Sequence, residues 1–312
     1  MTDHVLAVDL GGTNMRAAVV AVDGDVLLRR SQPTPRQDTC PDALLGLVGG
    51  VLADHPVASA VIGVPGRIHH AAGALEYAPN LPAHWPGALR EDLLATELGV
   101  PVALANDADL ATVGEAFFGA GQGTADVVYL TVSTGVGAGV VLAGQLVRGR
   151  RSLAELGHTI IDRHALAEGG PATVEDLGSG TALGRLGATR GLPSSGAELS
   201  ALVRDGDATA IEVWEEVARV VGLAVANVAH LFAPEVVVLG GGMGRDPGLL
   251  ATVRAGLAEH GPRALQPPIE VRTAELGDDA GLVGAAGWAR ATAGPAEPAG
   301  RAAAAGAREL GR

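Results

Sequence analysis

Lysine is absent from this chain of 312 residues, and all 22 of its basic residues are arginine. The absence excludes a phosphate-binding loop of the GxxxxGK[ST] type and the strand lysine of protein kinases, because both need a lysine. It also excludes Schiff-base chemistry on lysine, as in pyridoxal-phosphate enzymes and lysine aldolases. A protein of this composition that handles phosphate must use backbone amides, hydroxyls, arginine or metal ions.

Cysteine, aromatic residues and positive charge are also scarce. The single cysteine, Cys40, rules out a disulfide within the chain and a zinc site built from several cysteines. Aromatic residues make up 3% of the chain, so the core must be built from Ala, Val and Leu. The net charge of −13 argues against binding to nucleic acid through its phosphates.

Segments that target or anchor a protein in a membrane are not evident either. The first residues lack a basic segment followed by a long apolar stretch, so no signal peptide is expected. The longest apolar stretch, around residues 220–232, contains Asn227 and His230 and is too short and too polar to span a bilayer. We therefore expect a cytoplasmic protein that does not bind a membrane.

A plan of three strands with a glycine turn after the first strand occurs twice. Strands are predicted at 4–10, 15–22 and 25–30, and again at 126–132, 138–142 and 145–148. The two turns, at 11–12 and 133–139, are roughly 120 residues apart. Two copies of one plan predict an α/β fold in which two similar lobes face each other.

Further elements complete the predicted organisation. Helices are expected at 41–53, 108–120, 174–186, 197–203, 210–232, 246–259 and 281–290, and strands at 57–64, 101–105, 235–239 and 269–274. The predicted domains are a small lobe at 1–108, closed by the helix at 281–290, and a larger lobe at 109–280. Residues 291–312 are rich in Ala, Gly and Pro and are predicted to form a disordered tail.

Three glycine-rich segments follow strands and are suited to bind a nucleotide. In the first, Gly11 and Gly12 let backbone amides approach phosphate, Thr13 and Asn14 can donate hydrogen bonds, and Asp9 can hold a hydrated Mg²⁺. The second, at 133–139, occupies the matching place in the second copy. The third, at 240–243, lets the flat face of a nucleotide lie against backbone, although it lacks the GxGxxG fingerprint. Ordinary turns are the alternative interpretation.

Two further groups of residues indicate a reaction on a hydroxyl. Asp107 follows the strand at 101–105 and is placed to act as a general base, although Asn106 and Asp107 also form a typical helix cap. Glu155, His158 and Glu175 can bond the neighbouring hydroxyls of a sugar. The alternative is a structural histidine and solvated surface carboxylates.

Taken in order, these segments resemble the ROK family of sugar kinases and repressors. The family pattern has DxGGT, Pro-Gly, Asn-Leu-Pro, Asn-Asp, GTGxGxG, ExGH and LGGG. The corresponding segments here are 9–14, Pro65-Gly66, 80–82, Asn106-Asp107, 133–139, 155–158 and 239–242, and the match runs from Asp9 to about Gly287. The resemblance implies two ribonuclease-H-like lobes of the actin/hexokinase superfamily with a nucleotide cleft between them.

The resemblance also implies a role for each matching residue. Asp107 would be the catalytic base. The sugar would be held by Asn80, Asn106, Glu155, His158 and Glu175, in a pocket that Gly66 lines. The phosphates of ATP would be held by Gly11, Gly12, Thr13, Thr134 and Gly135, and the adenosine would lie between Gly241 and Gly242. A homodimer is implied by the resemblance alone.

One segment departs from the family pattern. Many members carry CxCGxxGCxE after ExGH and bind a structural zinc there, whereas residues 167–175 of this chain contain no cysteine and keep only the final Glu175. His158 and His164 alone cannot complete a four-ligand site, so no structural zinc is predicted. The metal that fixes the ring of this histidine in those members is therefore not expected to orient His158.

The predicted function is transfer of a phosphoryl group from ATP to a hexose, with glucose as the leading substrate. The alternatives are N-acetylmannosamine, N-acetylglucosamine, fructose or allose as substrate, polyphosphate as donor, or a sugar-binding regulator without catalysis. The repressors of the family carry a helix-turn-helix region ahead of DxGGT. Only eight residues precede Asp9 here, so direct regulation of DNA is not expected.

Overall fold

Two five-stranded sheets organise the protein, and the computed structural model describes residues 4–52, 55–150 and 155–293. The elements up to the middle of the chain are β1 (Val5–Leu10), β2 (Asn14–Val20), β3 (Val26–Pro33), α1 (Cys40–Leu52), β4 (Ser59–Val64), β5 (Arg67–His69), β6 (Ala74–Tyr77), α2 (Glu91–Leu98), β7 (Val102–Asn106) and α3 (Asp107–Phe118).

The second half of the chain is richer in helix. Its elements are β8 (Val127–Val132), β9 (Val136–Leu142), β10 (Gln145–Leu146), α4 (Arg163–Ala167), α5 (Val174–Gly178), α6 (Gly180–Thr189), α7 (Gly196–Arg204), α8 (Ala208–Phe232), β11 (Val236–Gly240), α9 (Gly241–Gly244), α10 (Pro247–His260), β12 (Glu270–Thr273) and α11 (Ala280–Thr292).

The two sheets have the same topology, which confirms the predicted α/β fold of two similar lobes. The strand order is β3-β2-β1-β4-β7 in the first and β10-β9-β8-β11-β12 in the second. In the first sheet β1 is antiparallel to β2 and parallel to β4. In the second sheet β8 is antiparallel to β9 and parallel to β11. All five residues of β11 are buried, as expected for a parallel strand that is covered on both faces.

Helices α3 and α11 lie between the sheets. Their apolar side chains, such as Val113 and Trp288, share one buried cluster with residues of both sheets. The helices cross at Gly114 and Gly284, where a Cβ on either glycine would overlap a backbone carbonyl of the other helix. Because no side chain separates them there, the two helices approach backbone to backbone.

The structure corrects two of the predicted elements. The segment 133–139 was predicted to be a turn, but β9 begins at Val136 and contains Gly139. The lack of a side chain at Gly139 leaves room for Thr112 of α3. The single helix predicted at 174–186 is two helices. Ser179 separates them, since its hydroxyl oxygen accepts a hydrogen bond from Ala182 N at 3.1 Å and caps the second helix.

Other boundaries also differ from those predicted. The hairpin of β5 and β6 and the helix α2 were not predicted at all. Helix α11 extends through Thr292, and the remainder of the segment predicted to be a disordered tail, from residue 294, lies outside the described residues. None of the helices in the described part of the chain is both long and apolar enough to cross a membrane.

Candidate active site

A cleft of about 720 Å³ lies where the carboxyl ends of the central strands of both sheets meet. It is lined by most of the residues that the sequence singled out. These are Asp9, Gly66, Asn80, Asn106, Asp107, Thr134, Gly135, Glu155, His158, Glu175, Gly241 and Gly242. The fold therefore brings segments from both lobes into one site. This site lies outside the carboxyl ends of the strands, where α/β sheets usually bind their ligands.

The turn between β1 and β2 is the exception, because Gly11, Gly12, Thr13 and Asn14 are not among the lining residues. The turn lies at the rim, where Gly12 packs against the backbone of Asn80. Two side-chain hydrogen bonds hold the turn in place. Thr34 Oγ1 donates to Gly11 O and Arg36 Nη2 donates to Gly12 O, both at 2.6 Å.

Asn106 caps α3, and Asp107 is the first residue of that helix. The side-chain oxygen of Asn106 accepts hydrogen bonds from Ala108 N at 2.9 Å and Asp109 N at 3.3 Å, while its Nδ2 donates to Gly66 O at 3.0 Å. The alternative interpretation of this pair as a helix cap is therefore correct for Asn106. It does not exclude a role for Asp107, which lines the cleft.

Asp107 is accessible to solvent in the cleft, but desolvation by the protein around it raises its pKa to about 6, and the nearby carboxylates of Asp9 and Glu155 act in the same direction. A hydrogen bond from Ala108 N opposes this rise. Burial also raises the pKa of Asp109 to about 8, with Asp107 the next cause. Both shifts favour the protonated form relative to an ordinary Asp, and the pKa of Asp107 lies close to the range in which a general base works best.

Arg16 is a functional candidate that the sequence analysis missed. It lies opposite Asp9 in the β1–β2 pairing, and its Nη2 and Nε contact Asp9 Oδ2 at 2.5 and 3.1 Å. Its Nη1 donates to Asp278 O at 2.7 Å. A signal existed, since a short hairpin places Arg16 beside Asp9, and without lysine an arginine must supply any positive charge.

The wall of the cleft near Gly241 contains further residues that the sequence did not indicate. Gly241 has a φ of +80°, and a Cβ there would lie 2.5 Å from Val132 O, so only glycine fits. Arg245 Nη2 lies 3.7 Å from Asp278 Oδ1 across this wall. Tyr129 and Arg67 also line the cleft, and no motif pointed to either.

On the other side of the cleft, Glu175 is fixed and the Glu155–His158 pair is open to solvent. Glu175 Oε2 accepts a hydrogen bond from Val136 N at 2.9 Å, which joins it to the end of the turn that contains Thr134 and Gly135. His158 Nε2 is 3.9 Å from Glu155 Oε2, with 70% and 53% of their side chains exposed. These two side chains are therefore accessible to a ligand.

Hydrogen bonds hold the segment that lacks the family's cysteines. Thr173 and Asp176 form a capping box, and Asp176 Oδ2 also accepts from Ala172 N at 3.2 Å. Thr159 and Val174 are joined by a backbone bond of 3.0 Å. Within 4–52, 55–150 and 155–293, no group of three or more His, Cys, Asp or Glu side chains is placed to hold a metal ion. The segment that carries Glu175 is thus tied locally to the residues after His158.

A second cavity, of about 880 Å³, lies between the end of α10 and β12. It is lined by none of the residues that the sequence singled out. We place the candidate active site in the cleft, because the polar side chains from both lobes and the carboxylate with a raised pKa converge there.

The two sheets of one topology with a cleft between them define an actin/hexokinase-like fold. The model of the ROK family matches residues 5–292, and the chain belongs to this family. The match covers every segment that carried the resemblance.

Similar proteins agree with this assignment. A glucokinase of Streptomyces coelicolor is 31% identical over 91% of this chain and 97% of its own length. An N-acetylmannosamine kinase of Escherichia fergusonii is 34% identical over 90% of this chain and 96% of its own. The crystal structure of a ROK family glucokinase from Streptomyces griseus, in complex with glucose and AMPPNP, is 33% identical. It has a TM-score of 0.75 and covers 92% of this chain and 99% of that one.

Proposed function

We propose that the protein is an ATP-dependent hexose kinase and that glucose is its preferred substrate. The observation that carries the proposal is the position of Asp107, a solvent-accessible carboxylate with a raised pKa that faces a cleft lined by both lobes. Membership of a family with glucokinases of similar length supports the same function.

In this proposal the sugar lies between Asn80, Asn106, Glu155, His158 and Glu175, with Gly66 lining the pocket. Asp107 accepts the proton of the reacting hydroxyl as the hydroxyl oxygen bonds to the terminal phosphorus of ATP. The bond from that phosphorus to the bridging oxygen breaks, and ADP leaves. Asp107 later returns the proton to solvent.

The nucleotide lies against the backbone of the glycine segments. Thr134 and Gly135 bind its phosphates from the large lobe, and Gly11, Gly12, Thr13 and Asn14 bind them from the rim of the small lobe. Gly241 and Gly242 flank the adenosine, and the open space where a Cβ of residue 242 would stand leaves room for a flat ring. Arg16 supplies positive charge beside the phosphates.

The donor set also fits Mg²⁺. This cation is commonly bound through one or two carboxylates together with the phosphates of a substrate. Asp9 lines the cleft close enough to Asp107 to raise its pKa, and both contacts of Arg16 go to Oδ2 of Asp9. Oδ1 of Asp9 would hold the hydrated cation, which neutralises phosphate charge when bound.

The test is release of ADP from ATP and Mg²⁺ with glucose, N-acetylmannosamine, N-acetylglucosamine, fructose and allose. The highest kcat/KM is expected for glucose, and a zinc-selective chelator should leave it unchanged. A tenfold or greater preference for N-acetylmannosamine would instead favour the second candidate, which the 34% identity to an N-acetylmannosamine kinase supports. No turnover with any sugar in folded protein would overturn the proposed activity. Replacing ATP with polyphosphate tests the donor.

A further inference from the structure

Glu115 is a buried carboxylate that neither the sequence motifs nor the proposed chemistry uses. It lies in the second half of α3 and is fully buried. Among the described residues no basic side chain forms an ion pair with it. A charge buried in this way needs strong hydrogen bonds, and its partners show what it holds in place.

In the described part of the chain, the hydrogen bonds to the Glu115 side chain come from backbone amides. Oε2 accepts from Ala120 N at 2.9 Å and from Glu275 N at 3.1 Å, and Oε1 accepts from Leu276 N at 2.8 Å. Gly119 leaves room for the carboxylate, because a Cβ at that position would overlap Oε2. The carboxylate therefore joins α3 to the segment 274–281, which is 160 residues away in sequence at Glu275.

The segment 274–281 forms part of the cleft wall. Ala274, Gly277, Asp278, Ala280 and Gly281 all line the cleft. The carbonyl of Asp278 accepts the hydrogen bond from Arg16, and the carboxylate of Asp278 faces Arg245. Through these contacts the segment reaches both the Asp9–Arg16 pair and the wall beside Gly241.

We propose that Glu115 is a positioning residue that fixes the nucleotide side of the cleft relative to Asp107. Both residues belong to α3, in which eight residues span about 12 Å, so one rigid helix sets their spacing. The proposal rests on the proposed function, since it assigns the wall formed by 274–281 to the nucleotide. It predicts that a change at Glu115 weakens nucleotide binding and leaves sugar binding unaltered.

The substitution Glu115→Gln tests this with little change of shape. A Gln side chain has one oxygen and one NH₂ group, and an NH₂ group cannot accept a hydrogen bond. Whichever way the amide turns, it leaves either Leu276 N or the pair Ala120 N and Glu275 N without an acceptor. The segment 274–281 should then lose one of its attachments to α3.

A matched variant is Glu235→Gln. Glu235 also accepts hydrogen bonds from two backbone amides, Ala125 N at 2.7 Å and Asp126 N at 3.4 Å. It lies at the opposite ends of the strands, before β11, and does not line the cleft. Glu235 is exposed and both amides bind its Oε2, which the amide oxygen of Gln can replace, so this variant is a control for removing a carboxylate charge away from the nucleotide.

The measurement is calorimetric binding of ADP, and separately of glucose, to the full chain. Glu115→Gln should bind ADP about tenfold more weakly and glucose within twofold of the wild type, while Glu235→Gln should match the wild type for both. Hydrogen exchange of the ligand-free protein should become faster at 275–281 in Glu115→Gln. Folded Glu115→Gln with wild-type affinity for ADP would overturn the proposal, as would equal weakening for ADP and glucose.

A second variant covers the case in which Glu115→Gln does not fold. Gly119→Ala leaves the carboxylate in the chain but forces Oε2 to move, so it should also weaken ADP binding and speed exchange at 275–281. If it does neither, the proposal is wrong. If the wild-type protein binds no nucleotide at all, the proposed function fails, and hydrogen exchange alone then shows whether Glu115 anchors the segment.

Discussion

The first hairpins of the two sheets share a fold but carry different side chains into the cleft. In the small lobe Leu10 pairs with Met15, which leaves four residues in the connection. In the large lobe Val132 pairs with Val136, which leaves three. One pair further from the turn, the small lobe has Asp9 opposite Arg16, whereas the large lobe has Thr131 opposite Gly137.

This difference shows how a repeated fold produces a site with unlike halves. The small-lobe hairpin brings a carboxylate and a guanidinium to the cleft, and both are charged. The large-lobe hairpin brings no charge, and its strand is instead shaped for contact with α3 at Gly139. One copy supplies electrostatics and the other supplies room for the helix that carries Asp107.

The largest effect is expected at Asp107, which begins the helix after the last strand of the small lobe. Asp279, immediately before α11, occupies the corresponding place after the large-lobe sheet, but it pairs with Arg29 Nη1 at 2.5 Å. Asp107→Asn should lower kcat by about 10²–10⁴ with unchanged glucose binding, because an amide cannot accept the proton. Asp279→Asn should change kcat little. Steady-state kinetics and calorimetry of both variants measure the contrast, and an active Asp107→Asn would exclude the base.

A second test makes the two hairpins more alike. Gly139 of the large lobe is paired with Tyr129, as Ala18 of the small lobe is paired with Ala7. Gly139→Ala should lower the free energy of unfolding by about 1–3 kcal/mol, because the new Cβ overlaps Thr112 Oγ1. Urea denaturation measures it.

The double variant Gly139→Ala with Thr112→Ala separates this contact from other causes. Since it removes the overlapping hydroxyl, part of the lost stability should return. Additive losses in the double variant would place the cause elsewhere.

A third test removes the charge that only the small lobe provides. Arg16→Gln should raise the KM for ATP about tenfold, since a positive charge beside the phosphates and the attachment to Asp278 O are both lost. Arg29→Gln removes a guanidinium from the surface pair with Asp279 and serves as the comparison. Equal effects of the two variants would show that Arg16 has no special role.

The smallest effect concerns the pH dependence of the reaction. The pKa of Asp107 is about 6, so kcat/KM should rise with pH and level off above that value, as the base loses its proton. Neighbouring carboxylates raise this pKa because they disfavour a second negative charge. Glu155→Gln should therefore move the midpoint to lower pH by less than about one unit. A midpoint that moves to higher pH would contradict this account.

The sequence could predict the repeated sheets because each strand carries its own apolar pattern and each turn its own glycines. It could also predict that Asp107 and Glu175 share a site, since both belong to motifs. The contacts of Arg16 with Asp278 and of Glu115 with Leu276 could not be found in this way. They join segments more than 150 residues apart, and only tertiary packing brings these together.

The glycine crossing of α3 and α11 has a mechanical consequence. Backbones in direct contact at Gly114 and Gly284 form a fulcrum with almost no side chains to compress. Seven residues of helix, about 10 Å, separate Gly114 from Asp107, so a tilt of about 10° at the fulcrum displaces the carboxylate by about 2 Å. A rotation of α3 against α11 at this contact would therefore change the position of Asp107 in the cleft without any repacking of side chains at the crossing point itself.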